Sequence, residues 1–162
     1  YESMPVFFTH EQKMKGVKVG KGARNAAKMM NEHDVFTVGG SDMFSPGLVE
    51  RIKEDLTCNV KAGFSPGQAL KHWTGNAGIV LKWSGPKDPY PTYELGTIKE
   101  GAYADLLLWD GNPLEDIELI LDESKLHFIM KDGLTYKNTL VGVDSPIYKP
   151  VKAPPTRGQY PL

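Results

Sequence analysis

Residues 84–96, SGPKDPYPTYELG, constrain the fold more than any other stretch. Three prolines and two glycines in thirteen residues leave too few backbone donors for a regular element, so this stretch is a loop. On its N-terminal side the apolar residues recur at helical spacing. On its C-terminal side they come in short runs bounded by Gly, Asp and Asn, the pattern of β-strands. The loop therefore divides a helical half that contains one strand-like run from a β half. Neither half is a complete layer structure, because one strand with a few helices closes no parallel sheet and four short strands make half a sandwich.

In the helical half, Ala23, Ala26, Ala27 and Met30 form one stripe, predicting a helix from Ala23 to about Glu32. The segment VFTV, residues 35–38, then reads as a short buried strand ended by Gly39 and Gly40. A second helix is marked by Leu48, Ile52, Leu56 and Val60, with Ser45-Pro46 at its start and Gly63 at its end. The third has the clearest start. Ser65 caps it, Pro66 takes the first position and Gln68 reaches back, with Ala69, Leu70, Trp73, Ala77, Val80 and Leu81 on its apolar face. Beyond the loop, LGTI and ADLLLWD read as strands, the latter buried. LHFIM and LTY flank Lys131-Asp132-Gly133, a hairpin signal because Asp-Gly accepts positive φ. From residue 145 proline dominates, which predicts an extended tail.

The bulk numbers exclude several classes. With 162 residues, 40% hydrophobic and 24% charged, the chain has the composition of one globular domain. A net charge of −1 with scattered basic residues gives no electrostatic footprint for nucleic acid or an anionic membrane. No apolar run has the length of a membrane span, and the first residues lack a signal-peptide pattern. Cys58 is the single cysteine, so no intrachain disulfide forms; this favours a reducing compartment, the cytoplasm.

Asp42 is the first candidate for chemistry. It follows VFTVGGS, and in α/β folds ligands bind outside the carboxyl ends of strands. An acid there serves as a metal ligand or general base. On the local pattern alone the plainer reading is a turn or capping residue ahead of Pro46, with both readings still open. The histidines, His10, His33, His72 and His127, are too widely spread for a zinc site, and no pair is one helical turn apart. Ser41 lies in GGSDM rather than a nucleophile elbow, and GKGARN lacks phosphate-loop spacing.

Three stretches together carry a resemblance. AGFSPGQALKHWTGNAGIVL, LGTIKEGAYADLLLWDGNPLEDI and FIMKDGLTYKN, in this order, resemble the C-terminal part of metal-dependent amidohydrolases, in the imidazolonepropionase- and prolidase-like branch. The resemblance spans about residues 35–138. It implies an α/β fold: the C-terminal fragment of a (β/α)8 TIM barrel, followed by strands of a small composite β-sandwich. The implied division is residues 1–83 for the barrel part, 84–144 for the sandwich strands and 145–162 for the proline-rich tail. VFTVGGSD becomes the eighth barrel strand, and the chain becomes the last third of a longer enzyme whose N-terminal part is missing.

The resemblance also implies that Asp42 binds a catalytic divalent metal, zinc by expectation, and takes a proton from the metal-bound water. Ser41, Met43 and Phe44 fall near the pocket mouth as substrate-binding residues by position, with packing as the plainer role for Met43 and Phe44. The implied reaction is hydrolysis of a C–N bond in a small-molecule amide, cyclic amide or dipeptide-like substrate, by a protein that forms homo-oligomers. The family's other ligands include a His-x-His, and no His-x-His occurs in these 162 residues. One carboxylate holds no catalytic zinc. The expectation for this chain alone is therefore no cofactor and no hydrolysis. The alternative is a non-catalytic scaffold or assembly protein on the same fold.

Overall fold

The computed structural model describes residues 9–41 and 52–142. Helix α1 (His10–Glu32) starts thirteen residues before the predicted Ala23. A capping box at Thr9 sets this start. The Thr9 hydroxyl accepts from the Gln12 amide at 3.2 Å, and Gln12 Oε1 accepts from the Thr9 amide at 2.8 Å. None of the described α1 residues is buried. Its C-terminal end is anchored through Asn31, whose Nδ2 donates to Gly63 O at 2.8 Å and whose Oδ1 accepts from Gln68 Nε2 at 2.9 Å.

The chain leaves α1 through Asp34, at φ 51°, and runs extended to Ser41. The predicted strand at residues 35–38 is not one: the segment pairs with no other described strand, and Val35 and Phe36 are about half exposed, at 49% and 48%. A strand is defined by a ladder partner, and apolar composition does not provide one. Two helices hold this segment instead, as described below.

Helix α2 (Ile52–Lys61) ends at Gly63, φ 107°, the left-handed geometry expected of glycine at a helix end. The predicted start of that helix, at Ser45-Pro46, lies outside the described residues. Helix α3 (Pro66–Trp73) begins as predicted, with both hydrogen bonds of the Ser65–Gln68 capping box formed. It is shorter than predicted. Thr74, at φ −122° and ψ −91°, breaks the run, and α4 (Gly75–Trp83) continues it. The reason is the chain that crosses this junction. A Cβ on Gly96 would lie 2.3 Å from the Thr74 carbonyl, and one on Gly78 would lie 2.4 Å from Leu95 O. Bare backbone at both positions allows that approach.

The β half is a three-stranded antiparallel sheet in the order β1-β2-β3, formed by β1 (Leu106–Trp109), β2 (Leu126–Lys131) and β3 (Leu134–Asn138). The β2–β3 turn has Asp132 at φ 51° and Gly133 at φ 75°, the paired positive angles that match strand twist. Two expectations fail here. LGTI, residues 95–98, forms no strand; the isolated bridge nearby joins Glu94 and Ala102 on either side of it. The middle of ADLLLWD is not buried, since Leu107 and Leu108 are exposed, one on each face of an edge strand.

The buried apolar residues among those described are Phe64, Ala69, Ile117, Leu119 and Ile120. The last three come from a 3₁₀ turn (Ile117–Leu121) that packs on α2, so the core lies where the two halves meet. Ion pairs Lys53–Glu123 at 2.6 Å and Lys61–Glu118 at 3.1 Å flank that contact. Residues 84–90 are tied down separately. Asp88 accepts from the Tyr90 amide at 2.8 Å and pairs with Lys82 at 3.0 Å. Lys131 Nζ lies 3.0 Å from Tyr90 OH and 4.7 Å from the ring centroid.

Candidate functional site

Residues 35–41 precede Asp42 in sequence, and α3 and α4 anchor this segment at Gly39 and Thr37. The Gly39 amide donates to His72 O at 3.0 Å, and Asn76 Nδ2 donates to Thr37 O at 2.7 Å. These two bonds replace ladder bonds with anchors to the helices. Gly39 also has to be glycine, because a Cβ there would stand 2.4 Å from three atoms of the Trp73 indole. Thr37 adds a local bond from Oγ1 to Val35 O at 2.9 Å. Ser41 is half-buried at the end of the clamped segment. Asp42, Met43 and Phe44, the other residues expected at the site, lie outside the described residues.

The four histidines stay apart. His10 opens α1, His33 caps its other end, and His127 Nδ1 is 2.8 Å from Thr139 Oγ1. Among the described residues no group of three or more His, Cys, Asp or Glu could hold a metal ion. The described residues therefore do not fit a metal on their own.

His72, set aside above as a metal ligand, is a buried residue with unmet hydrogen-bonding capacity. It is 6% exposed, its ring meets Phe64 edge-on at 4.8 Å, and its Nδ1 is buried without a hydrogen-bond partner. Burial first, and then the neighbouring Lys71 ammonium, hold its pKa below the usual 6.5. The ring is therefore neutral at pH 7. Asn76, 5% exposed, is similar: its Nδ2 is used on Thr37 and its Oδ1 is buried without a partner. Both side chains line a cavity of about 220 Å³ beside Asp34, Val35 and Lys71. Asn76 and Lys71 also border a larger cavity of about 480 Å³, walled by Ile79, Trp83 and Leu95. The sequence marked neither Asn76 nor Lys71. The one available signal was a polar residue at every fourth position, 68, 72 and 76, along the helical run.

Comparison with known proteins places this architecture. The amidohydrolase family profile matches residues 7–135. Ochratoxinase from Aspergillus niger is 30% identical over 82 residues, which are 51% of this chain and 16% of that protein. The crystal structure of A. niger ochratoxinase superposes with a TM-score of 0.67 at 26% identity, covering 81% of this chain and 28% of that one. A Xaa-Pro dipeptidase with methionine bound in its active site gives 0.63 at 25% identity, over 82% of this chain and 30% of its own. The chain thus spans less than a third of the length of these relatives. The match runs through the helical half, the clamped segment and the sheet alike, and the chain belongs to the amidohydrolase family.

Proposed function

We propose that this chain is the C-terminal part of a metal-dependent hydrolase that cleaves the C–N bond of a small amide or dipeptide-like substrate. The observation that carries the reading is the family match over residues 7–135, joined to a segment, residues 35–41, that two helices hold in place just before Asp42. In this reading residues 1–83 complete a barrel, residues 84–144 add strands to a small sandwich, and residues 145–162 form a tail. Asp42 contributes one carboxylate to a metal centre whose remaining ligands come from outside the described residues. Asp42 would hold a divalent metal, zinc by expectation, together with ligands from outside the described residues, and the bound ion would lower the pKa of a water towards neutrality.

The residues of this chain do the rest. Asp42 accepts the proton of the attacking water and delivers it to the leaving nitrogen, a role that ordinarily contributes about 10²–10⁴-fold. Ser41, Met43 and Phe44 border the substrate. The bonds at Thr37 and Gly39 anchor the segment that precedes Asp42 in sequence.

The test is Asp42→Asn in the polypeptide that carries this chain together with the proposed upstream barrel. N-acyl amino acids and Xaa-Pro dipeptides serve as substrates, and bound metal is measured by mass spectrometry. The expected result is a loss of about 10²–10⁴-fold in kcat with folding intact. Full activity in the variant would remove Asp42 from the mechanism. A parent protein that holds no metal and cleaves nothing would favour the scaffold alternative.

A further inference from the structure

The 220 Å³ cavity has one charge of each sign at its exposed rim, Asp34 and Lys71. Asp34 and Lys71 both line it, and among the described residues neither is in a salt bridge. Two further polar side chains, His72 and Asn76, are more than nine-tenths buried in its wall with Nδ1 and Oδ1 unpartnered. The orientation of Asn76 is set by its Nδ2 bond to Thr37 O, so its free atom accepts and needs a donor. A buried polar atom without a partner is costly, and two in one cavity call for an occupant.

The occupant has to donate to Asn76 and Asp34 and accept from Lys71. It also has to fit beside the apolar surfaces of Met30, Val35, Phe36 and Phe64. The volume equals the liquid share of about seven waters, which suits a small molecule and is too small for a peptide. Water would satisfy the two orphan atoms and the exposed charges singly, whereas one molecule carrying both an ammonium and a carboxylate would meet all four at once. We propose that this cavity binds a free α-amino acid as its zwitterion. The α-ammonium faces Asp34 and Asn76 Oδ1, the α-carboxylate faces Lys71, and an aliphatic side chain lies against Val35 and Phe64. The neutral imidazole of His72 offers Nδ1 as a further hydrogen-bonding atom without adding charge. Asp34, which lines the cavity, stands at the other end of the 35–41 segment from Ser41. Val35 and Phe36 also belong to the open apolar face of the segment, so the inference rests on the barrel proposed above leaving this cavity accessible.

Isothermal titration of the full polypeptide with L-leucine, N-acetyl-L-leucine and L-leucinamide tests it. Leucine is expected to bind one per chain. Each analogue lacks one of the two charges and is expected to bind about tenfold more weakly or worse. Asp34→Asn should abolish the discrimination against N-acetyl-leucine. Lys71→Met should abolish that against leucinamide, whereas Lys71→Arg should keep it. The absence of saturable leucine binding up to about 10 mM, a generous limit for a site with a charged contact at each end, would overturn the proposal. So would leucine binding that is unchanged in both variants, because it would then lie elsewhere. Should a variant fail to fold by circular dichroism, the ranking of the three ligands on the parent protein still decides. Equal affinities sink the site, and the expected order supports it.

Discussion

Asp88 shows how a single side chain stiffens the proline-rich segment. It is buried, which by itself would raise its pKa, yet the Tyr90 amide first and Lys82 next hold the carboxyl below the usual 3.8. A carboxylate with a depressed folded-state pKa contributes stability that is fully present above 3.8. That contribution is lost as the pH falls from there through the folded-state value. Urea midpoints between about pH 3 and 7 should therefore decline on the acid side, and Asp88→Asn should be less stable at neutral pH with a shallower acid decline. An unchanged acid limb in the variant would place the titration elsewhere. Lys131, whose pKa Tyr90 raises and Asp105 supports, is the sheet's end of the same attachment. The amide of its neighbour Asp132 reaches Asp105 Oδ1 at 2.7 Å, and Gly133 N reaches Ala104 O at 3.1 Å.

At the scale of elements, α1 and α3 start with the same device and depend on it differently. Both carry a full capping box, at Thr9–Gln12 and Ser65–Gln68. Helix α3 also buries Ala69 and His72, whereas α1 buries nothing and contains Gly16, Gly20 and Gly22 within its first thirteen residues. Each interior glycine costs about 0.5–1 kcal/mol relative to alanine, and an unburied helix has little packing to offset it. Removing either cap costs about 1 kcal/mol. In Thr9→Ala that loss should appear locally, as faster amide exchange over residues 10–22 with little change in the global unfolding midpoint. In Ser65→Ala it should appear as a lower midpoint for the whole chain. Equal global effects would show that α1 is as integrated as α3.

The same comparison shows what could be read in advance. The Ser65 box was legible because Pro66 and an apolar stripe followed it. The Thr9 box is written in the same letters, but the glycines and lysines after it hide any stripe. The Asp132-Gly133 turn was legible because its chemistry is local, and the split at Thr74 was not, because it follows from Leu95 and Gly96 crossing that point. Residues 35–38 have strand composition without a partner in the described chain. His72 and Asn76 gain their meaning from burial against Phe64 and the Thr37 carbonyl, a matter of tertiary placement. Asp42 was singled out by its place after the glycines, and the family match supports that family's chemistry without describing the residue itself.

For the whole molecule, the question is what the apolar surface is for. Five apolar residues are buried among those described, while Val35, Phe36, Ile79 and Trp83 stand open along the clamped segment and α4. Phe36 and Trp83 lie together, with ring centroids 5.5 Å apart. Fully burying a large apolar side chain is worth about 1.5–3 kcal/mol, and small domains have about 5–15 kcal/mol in total. Leaving this group in water therefore forgoes a sizeable fraction of a domain's stability. If the barrel proposed above covers it, Trp83, 70% exposed here, reports the event. The 162-residue chain should show a red-shifted emission component that acrylamide quenches and Trp83→Phe removes, and it should bind a hydrophobic dye. In the polypeptide that includes the upstream barrel, that component should shift to the blue and become protected, and dye binding should fall. A Trp83 that stays accessible in the longer polypeptide would mean the open face is not where the barrel closes. The assignment of residues 1–83 to its last turn would then have to be withdrawn.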